Sequence, residues 1–419
     1  MNKNKGNVLA IGIMFFLFAM ISFVTGLQNP MGIIAKAQFG ATNLMSQLGN
    51  AANFIAYAFL GLPAGFLLKG KGYKFTALTA VAIGFVGVGI SYLSGILCSF
   101  AVYLLGAFVS GFSMCMLNTV VNPLLNTLGG GGNKGNQLIQ LGGSCNSLSA
   151  TIVPVFAGYL IGEVTEKTQV ADVNLALFIA MAIFAVAFLI IFFSYIPEPE
   201  LEAAAAEGKV EKEGTMDSIK GALSHKNLVF GIIAIFLYVG IEVGIPNIAN
   251  LYMTSSDGLG IVADVAGTLI GAYWFLMLCG RLIAGAIGGK VSSRAMMVSV
   301  SSAGIIFILL GMFLLFLPEP PTVSLLEAQI PVGVLFFVAC GICTSVMWGA
   351  IFNLAVEGLG KYTSIASGLF MVMVCGGGIV PLVQGAVADA AGYINSYWVL
   401  VAALAYTLWF ALIGSRTNK

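Results

Sequence analysis

The chain contains 419 residues, of which 59% are hydrophobic and 8% are charged, and its formal net charge is +1. Soluble globular domains carry about 25% charged residues, so this composition excludes a soluble enzyme and a disordered protein. A net charge so close to zero also provides no field that would attract nucleic acid. The composition predicts a polytopic membrane protein.

Twelve apolar runs are long enough to cross a bilayer, which takes about 20 helical residues. Polar residues or clusters of glycine and proline separate these runs. The sequence therefore predicts an all-α polytopic membrane protein with twelve transmembrane helices, at 8–34, 43–68, 74–96, 99–127, 136–162, 173–196, 227–253, 262–288, 294–317, 329–355, 363–389 and 394–414.

The lysine and arginine residues are distributed unevenly between the two sides of these spans. Fifteen of the 18 fall in the segments on the side of the N-terminus, and two fall on the other side. Because positive charge is retained in the cytoplasm, we predict that both termini are cytoplasmic.

One long polar segment, rich in Glu, Lys and Ala, interrupts the apolar pattern. We predict an N-terminal six-helix bundle at 1–196, a cytoplasmic linker at 197–226 and a C-terminal six-helix bundle at 227–419. The charges of the linker are typical of a solvated face.

The two predicted bundles resemble each other at a fixed distance along the chain. Residues Ile152-Val153-Pro154 reappear as Ile379-Val380-Pro381, a shift of 227 residues, and the same shift carries Asn126 onto Asn353. Two repeats of six helices predict a pseudo-two-fold axis along the membrane normal and alternating access by rocking of the repeats.

A series of motifs runs in order along nearly the whole chain: Phe23–Pro30, Leu62–Lys69, Tyr238–Ile245, Glu357–Ser364 and Gly376–Pro381. Together they resemble the fucose permease branch of the major facilitator superfamily, and within it the bacterial glucose/galactose transporters. The resemblance implies two six-helix bundles around a central cavity and a function in secondary sugar transport, with proton symport in many members. It also implies that spans one, four, five, seven, eight, ten and eleven line that cavity.

The sequence departs from the fucose permease in its acidic residues. The fucose permease has a carboxylate in span one and another in span four, and the matching positions here are Asn29 and Asn118. Independently of the family, residues 1–162 contain no Asp or Glu. Because an amide cannot titrate, the coupling acids of the fucose permease have no counterpart in this half.

Two ionisable residues lie deep in predicted spans, Glu242 in span seven and Arg281 in span eight. Burying such a group costs about 2.5–3.5 kcal/mol, so a function is expected for it. Glu242 is the candidate for ion coupling or for accepting a sugar hydroxyl, and the alternative is a structural partner for Arg281. Arg281, Lys69 and Glu357 are predicted to have structural or gating roles.

Amide side chains are numerous in the spans, and they supply the donors and acceptors that a ring of sugar hydroxyls needs. An aromatic ring can cover the apolar face of the sugar. The alternative for each amide is a hydrogen bond between helices. The predicted substrate-binding residues are Gln28, Asn29, Asn50, Asn118, Asn122, Asn146, Asn250, Trp274 and Asn353.

The predicted function is uptake of a neutral monosaccharide by a membrane transporter that acts as a monomer, coupled to a proton or a sodium ion. The first alternative is a facilitative uniporter without coupling, and the second, from another class, is a membrane sensor built on a transporter fold. The sequence shows no phosphate-binding loop and no histidine-based metal site, so we predict no cofactor and no metal.

Overall fold

The computed structural model describes residues 7–24, 43–161, 173–199, 201–202, 215–325 and 328–416. Nearly all of this part of the chain is helical. The longer helices are α1 (Asn7–Val24), α2 (Asn43–Ile96), α3 (Phe100–Leu128), α4 (Gly132–Ile161), α5 (Asn174–Phe193), α6 (Thr215–Leu223), α7 (Lys226–Thr254), α8 (Ala263–Ile287), α9 (Ser293–Leu315), α10 (Val332–Ser345), α11 (Met347–Val356), α12 (Thr363–Val372), α13 (Gly376–Ala391) and α14 (Tyr397–Trp409).

Ten stretches of the described residues are long and apolar enough to cross a membrane. Helix α2 covers both predicted spans two and three, because it continues through a kink at Gly72, where φ is +82°. Predicted span five corresponds to helix α4. Each of the twelve predicted spans is represented by a helix of the described residues, and the end of span one, 25–34, lies outside the described residues.

Predicted spans ten and eleven are not continuous helices. Span ten breaks at Val346, between α10 and α11, and span eleven passes through the 3-10 turn Met373–Cys375, between α12 and α13. The connection between spans nine and ten contains a short antiparallel hairpin, in which Thr322–Leu325 pairs with Ala328–Pro331. A carbonyl group that loses its helical donor at such a break can accept a hydrogen bond from a neighbouring side chain.

The described chain divides into two compact units. The first consists of residues 1–130, 145–224 and 359–372, and the second consists of 131–144, 225–358 and 373–419. Shifted by the repeat distance of 227 residues, 131–144 becomes 358–371, which is within one residue of 359–372. The segments that each repeat contributes to the other unit are therefore equivalent by the internal repeat. The boundary at the linker 197–226 stays a prediction.

In the first unit, α2 packs along α3, and α5 and α12 pack against α2. In the second unit, α7 is the central helix, and α8, α11, α13 and α14 pack around it. The face of α7 towards these neighbours is buried, with Tyr238, Ile241 and Ile245 less than 2% exposed.

Helices α2 and α12 approach each other closely through glycines. A Cβ atom added to Gly61 would lie 2.5 Å from the backbone nitrogen of Val372 and 2.8 Å from the carbonyl oxygen of Gly368. A Cβ on Gly65 would lie 2.9 Å from the Cα of Gly368. Small residues permit this contact, which is a common way of packing helices in lipid.

We expect Gly61→Ala to separate α2 from α12 and to lower the free energy of unfolding by about 1–3 kcal/mol, because the added methyl meets backbone atoms that cannot rotate away. Thermal unfolding of the purified protein in detergent measures the change. The matched control is Gly385→Ala, where an added Cβ meets nothing within 4 Å. Equal melting temperatures for the two variants would contradict the close approach.

Two charged side chains, Glu198 and Lys74, connect the ends of predicted spans three and six through hydrogen bonds to backbone groups. The Glu198 carboxylate accepts hydrogen bonds from the backbone nitrogens of Tyr73 and Lys74, at 2.6 and 2.8 Å, directly after the kink at Gly72. The Lys74 ammonium donates to the carbonyls of Phe192 and Ser194, both at 2.9 Å. Burial raises the pKa of Glu198, and the two backbone N–H groups oppose part of that rise.

We expect Glu198→Ala to destabilise the protein by about 0.5–2 kcal/mol, as the loss of a helix cap does, because it leaves two backbone N–H groups without an acceptor. The control is Glu202→Ala, which removes an exposed carboxylate bonded to the Tyr195 hydroxyl. Chemical or thermal unfolding should separate the two variants, and a Glu198→Ala protein as stable as the control would show that the cap contributes nothing.

Candidate substrate and coupling residues

The two ionisable residues predicted to lie deep in the spans form an ion pair. Nη2 of Arg281 on α8 lies 3.5 Å from Oε1 of Glu242 on α7, and the side chains are 10% and 16% exposed. The structure therefore pairs Glu242, the candidate for ion coupling, with Arg281, the residue that it was expected to bind if its role were structural. A buried pair of this kind is strongly destabilised when one partner is lost, because the other charge then remains without compensation.

A proline explains why a tyrosine lies beside this pair. Pro246 lies inside α7 and has no N–H, so the carbonyl of Glu242, four residues earlier, lacks its helical donor. The hydroxyl of Tyr273 on α8 donates to that carbonyl at 3.1 Å. Tyr273 also shares a hydrogen bond of 3.0 Å with the hydroxyl of Thr344 on α10.

Tyr238 lies one helical turn before Glu242 and on the same face of α7. Its hydroxyl is close enough to interact with the Glu242 carboxylate, yet it is buried and has no partner in hydrogen-bond geometry among the described residues. The ring of Trp348 on α11 meets the Tyr238 ring edge to face, with centroids 6.3 Å apart. A buried hydroxyl beside a carboxylate and an indole ring is suited to a hydroxylated ligand.

The break in span ten supplies acceptors for Arg281 and for a glutamine of α4. Nε of Arg281 donates to the carbonyl of Ser345 at 3.3 Å, and Nε2 of Gln140 donates to the carbonyl of Val346 at 2.8 Å. Nη1 of Arg281 reaches the carbonyl of Gly143 on α4 at 3.2 Å. The guanidinium thus binds α7, α10 and the first half of α4 at once.

The two predicted substrate-binding asparagines of span four, Asn118 and Asn122, are buried in the first unit. Nδ2 of Asn118 donates to the Tyr57 hydroxyl at 2.9 Å and to the Met114 carbonyl at 3.2 Å. Asn122 donates to the Asn118 carbonyl at 2.8 Å. Asn118 is 7% exposed and Asn122 is fully buried. In this structure both amides are thus engaged in protein hydrogen bonds.

The other predicted substrate-binding residues that the structure describes lie on different helices and do not form one cluster. Asn146 donates to the carbonyl of Phe18 at 2.9 Å, and Asn353 donates to the Ser293 hydroxyl at 2.8 Å. Asn250 is half-buried, and Trp274 is 37% exposed with its ring against Tyr273. Gln28, Asn29 and the side chain of Asn50 lie outside the described residues.

The two remaining predicted gating residues are Lys69, three residues before the kink of α2, and Glu357, directly after α11. Lys69 donates to the hydroxyl of Ser218 on α6 at 2.5 Å, so the predicted linker contains a helix that packs against the first unit. Glu357 is exposed, and its carbonyl accepts a hydrogen bond from Asn227 at 2.9 Å. Both contacts connect segments far apart in the chain.

A groove of about 400 Å³ in the first unit is apolar along its length and offers no hydrogen-bonding groups to a sugar. It is lined by Val8, Leu9, Gly12, Ile13, Phe16 and Ile190. Among the described residues, no group of three His, Cys, Asp or Glu side chains is placed to hold a metal ion.

The sequence profile of the Major Facilitator Superfamily matches residues 12–382. The chain belongs to this superfamily. It is 29% identical over 418 residues to a glucose/galactose transporter of Brucella abortus, covering 99% of this chain and 96% of the relative. It is 23% identical over 444 residues to the L-fucose-proton symporter of Escherichia coli, covering 100% and 96%.

A crystal structure of the superfamily transporter FucP in the outward conformation is similar over 98% of this chain and 100% of that chain, with a TM-score of 0.83 and 20% identity. This likeness confirms the predicted fold of a polytopic all-α membrane protein. The relatives confirm the resemblance to the fucose permease branch. The chain is a multi-pass membrane transporter and not an enzyme.

Sequence analysis did not identify Tyr238, Tyr273, Thr344 or Ser345 as neighbours of the ion pair. One signal was present: a proline inside a span marks the carbonyl four residues earlier as needing another donor. Pro246 marks Glu242 in this way. Pro123 in α3 marks Thr119, whose carbonyl accepts a hydrogen bond from Ser367 at 3.1 Å.

We expect Tyr273→Phe to lower the free energy of unfolding by about 1–3 kcal/mol, the cost of a buried polar group left unsatisfied. Pro246→Ala restores a backbone N–H opposite the Glu242 carbonyl, so the double variant should recover part of the loss. Thermal unfolding of the wild type, both single variants and the double variant gives the interaction energy. Strictly additive effects would contradict this account of Tyr273.

Proposed function

We propose that this transporter takes up a neutral monosaccharide of the glucose, galactose or fucose type across the bacterial inner membrane, by alternating access of its two repeats. The observation that carries the proposal is the full-length similarity to proteins named for those sugars. The uneven distribution of lysine and arginine supports cytoplasmic termini. We further propose that the protein acts as a monomer.

The proposed sugar site combines groups from several spans. In the second unit, the Tyr238 hydroxyl and the Glu242 carboxylate would bind sugar hydroxyls, and Trp348 would cover an apolar face. The predicted amides Gln28, Asn29, Asn50, Asn118, Asn122, Asn146, Asn250 and Asn353, with Trp274, remain candidates for further contacts. Amides now bonded to backbone carbonyls would keep their side-chain oxygens as acceptors.

We propose that Glu242 carries the coupling proton. Positions 29 and 118 hold asparagines, which cannot titrate, whereas Glu242 is a carboxylate buried on a helix expected to line the transport pathway. Keeping a buried acid in a membrane protein is costly and points to a use for its charge. Coupling to sodium and uniport without coupling are the alternative outcomes of the experiment below.

In proteoliposomes with an imposed pH or sodium gradient, we expect the wild type to accumulate one sugar from a labelled panel. Glu242→Gln should abolish accumulation, because the amide cannot bind and release a proton. Exchange of labelled for unlabelled sugar should persist, since it does not require net movement of the proton. The matched control is Asp389→Asn, which neutralises an exposed carboxylate on α13 and should accumulate sugar normally.

The other results decide between the alternatives. Accumulation driven by sodium alone assigns sodium coupling, and equilibration without accumulation under either gradient assigns uniport. Failure of the wild type to move any sugar of the panel contradicts the proposed substrate class.

A further inference from the structure

Helix α4 belongs to both compact units. Its residues up to Ser144 lie in the second unit, and those from Cys145 lie in the first. In rocking motions of the two repeats, the contacts that hold 131–144 to the second unit would have to open and close. The nature of these contacts therefore determines what can control the motion.

Most of these contacts are neutral. Gln137 donates to the carbonyl of Gly285 at 2.9 Å, Gln140 donates to that of Val346 at 2.8 Å, and Asn136 reaches the Met296 sulfur at 3.7 Å. The bond from Arg281 to the Gly143 carbonyl differs, because its donor is charged. The backbone at Gly143 also covers the arginine, since a Cβ added there would lie 3.4 Å from Cδ of Arg281.

Two contacts of the repeat-related segment 359–372 within the first unit are neutral. Ser367 donates to the Thr119 carbonyl at 3.1 Å, and Gly368 packs against Gly61 and Gly65. The two equivalent segments are thus attached by different chemistry. A change of charge at the ion pair would act on 131–144 and leave 359–372 unaffected.

We propose that Arg281 is a positioning residue that ties the 131–144 segment of α4 to α8 while Glu242 is ionised, and that protonation of Glu242 releases this segment. The inference rests on the proposed coupling role of Glu242. It adds the step by which protonation of Glu242 affects the position of α4.

The physical reason is the balance of charge around the guanidinium of Arg281, whose side chain is 10% exposed. The ionised carboxylate compensates the buried positive charge and holds it where Nη1 reaches Gly143. A protonated carboxyl no longer provides that compensation, and a buried charge without it is strongly unfavourable. Hydration of the guanidinium relieves the cost, and water reaches it when the backbone at Gly143 moves away.

Glu242 is the carboxylic acid of the pair and the group whose protonation is invoked. The groups that face it are Arg281 and Tyr273 from α8 and Tyr238 from its own helix. Cys340 and Cys343 of α10 face Tyr273. Arginine stays protonated, and tyrosines and thiols titrate near pH 10 and 8.5 even in water.

The test is hydrogen–deuterium exchange of the full-length protein in lipid nanodiscs, read by mass spectrometry for peptides in 131–144 and 359–372. Rates are corrected for the intrinsic effect of pH. We expect Glu242→Gln to exchange at least about fivefold faster than wild type in 131–144, the lower end of typical coupling between sites. The 359–372 peptides should be unchanged.

The pH profile separates this role from a merely structural one. Wild-type exchange in 131–144 should rise as the pH falls, and Glu242→Gln and Arg281→Gln should both exchange fast at every pH. The matched control, Ser367→Ala, should speed exchange in 359–372 and keep the pH dependence of 131–144. A pH profile that survives in Arg281→Gln, or wild-type protection in Glu242→Gln, overturns the proposal.

If loss of the carboxylate beside Arg281 prevents folding of Glu242→Gln, the double variant Glu242→Gln/Arg281→Gln removes both charges. It should show fast exchange in 131–144 without pH dependence, and wild-type protection there would overturn the proposal. Sugar counterflow is measured on the same preparations. A wild type that moves no sugar refutes the proposed function, whereas the exchange data still decide the role of Arg281.

Discussion

A polar group within the hydrocarbon core has no water to bond to, so the protein itself must supply its partner. This constraint explains most of the side-chain hydrogen bonds in the structure. Asn122 bonds to a carbonyl of its own helix, while Gln140 and Ser367 bond to carbonyls of other helices. Amides and hydroxyls that bond across helices fix which spans are neighbours, and they do so without adding charge to the membrane.

Irregularities in the helices leave backbone carbonyls without an N–H donor, and several of these side chains donate to such carbonyls. Pro123 and Pro246 each remove one N–H, and the carbonyls that lose it are bound by Ser367 and Tyr273. At the break of span ten, the Ser345 carbonyl accepts a hydrogen bond from Arg281, and the Val346 carbonyl accepts one from Gln140 in addition to its bond of 3.2 Å from the Ala350 N–H. Glu242 therefore occupies a special position, because its backbone and its side chain are both bound by residues of α8.

The internal repeat appears again in the packing. The segments 131–144 and 359–372 are equivalent by the shift of 227 residues, and each belongs to the compact unit formed mainly by the other repeat. Equivalent backbones do not imply equivalent chemistry, since the first segment is bound by a charged arginine and the second by a hydroxyl and glycines. A transporter with this pseudo-symmetry can therefore respond to a proton through only one of two equivalent segments.

The sequence by itself determined that the chain is a membrane transporter with twelve spans, that it contains two repeats, and that Glu242 and Arg281 are exceptional. These properties follow from hydropathy, from the period of the repeat and from the cost of burying charge, which act along the chain and need no knowledge of contacts. The hydrogen-bond partner of each amide could not be predicted from the sequence, because an asparagine in a span bonds equally well to its own helix, to a neighbouring helix or to a ligand. Only the tertiary structure decided that Asn118 meets Tyr57, that Asn353 meets Ser293 and that Arg281 reaches Gly143 as well as Glu242. Asn118 and Tyr57 are 61 residues apart in the chain, and Asn353 and Ser293 are 60 residues apart, so their pairing depends on how the helices pack.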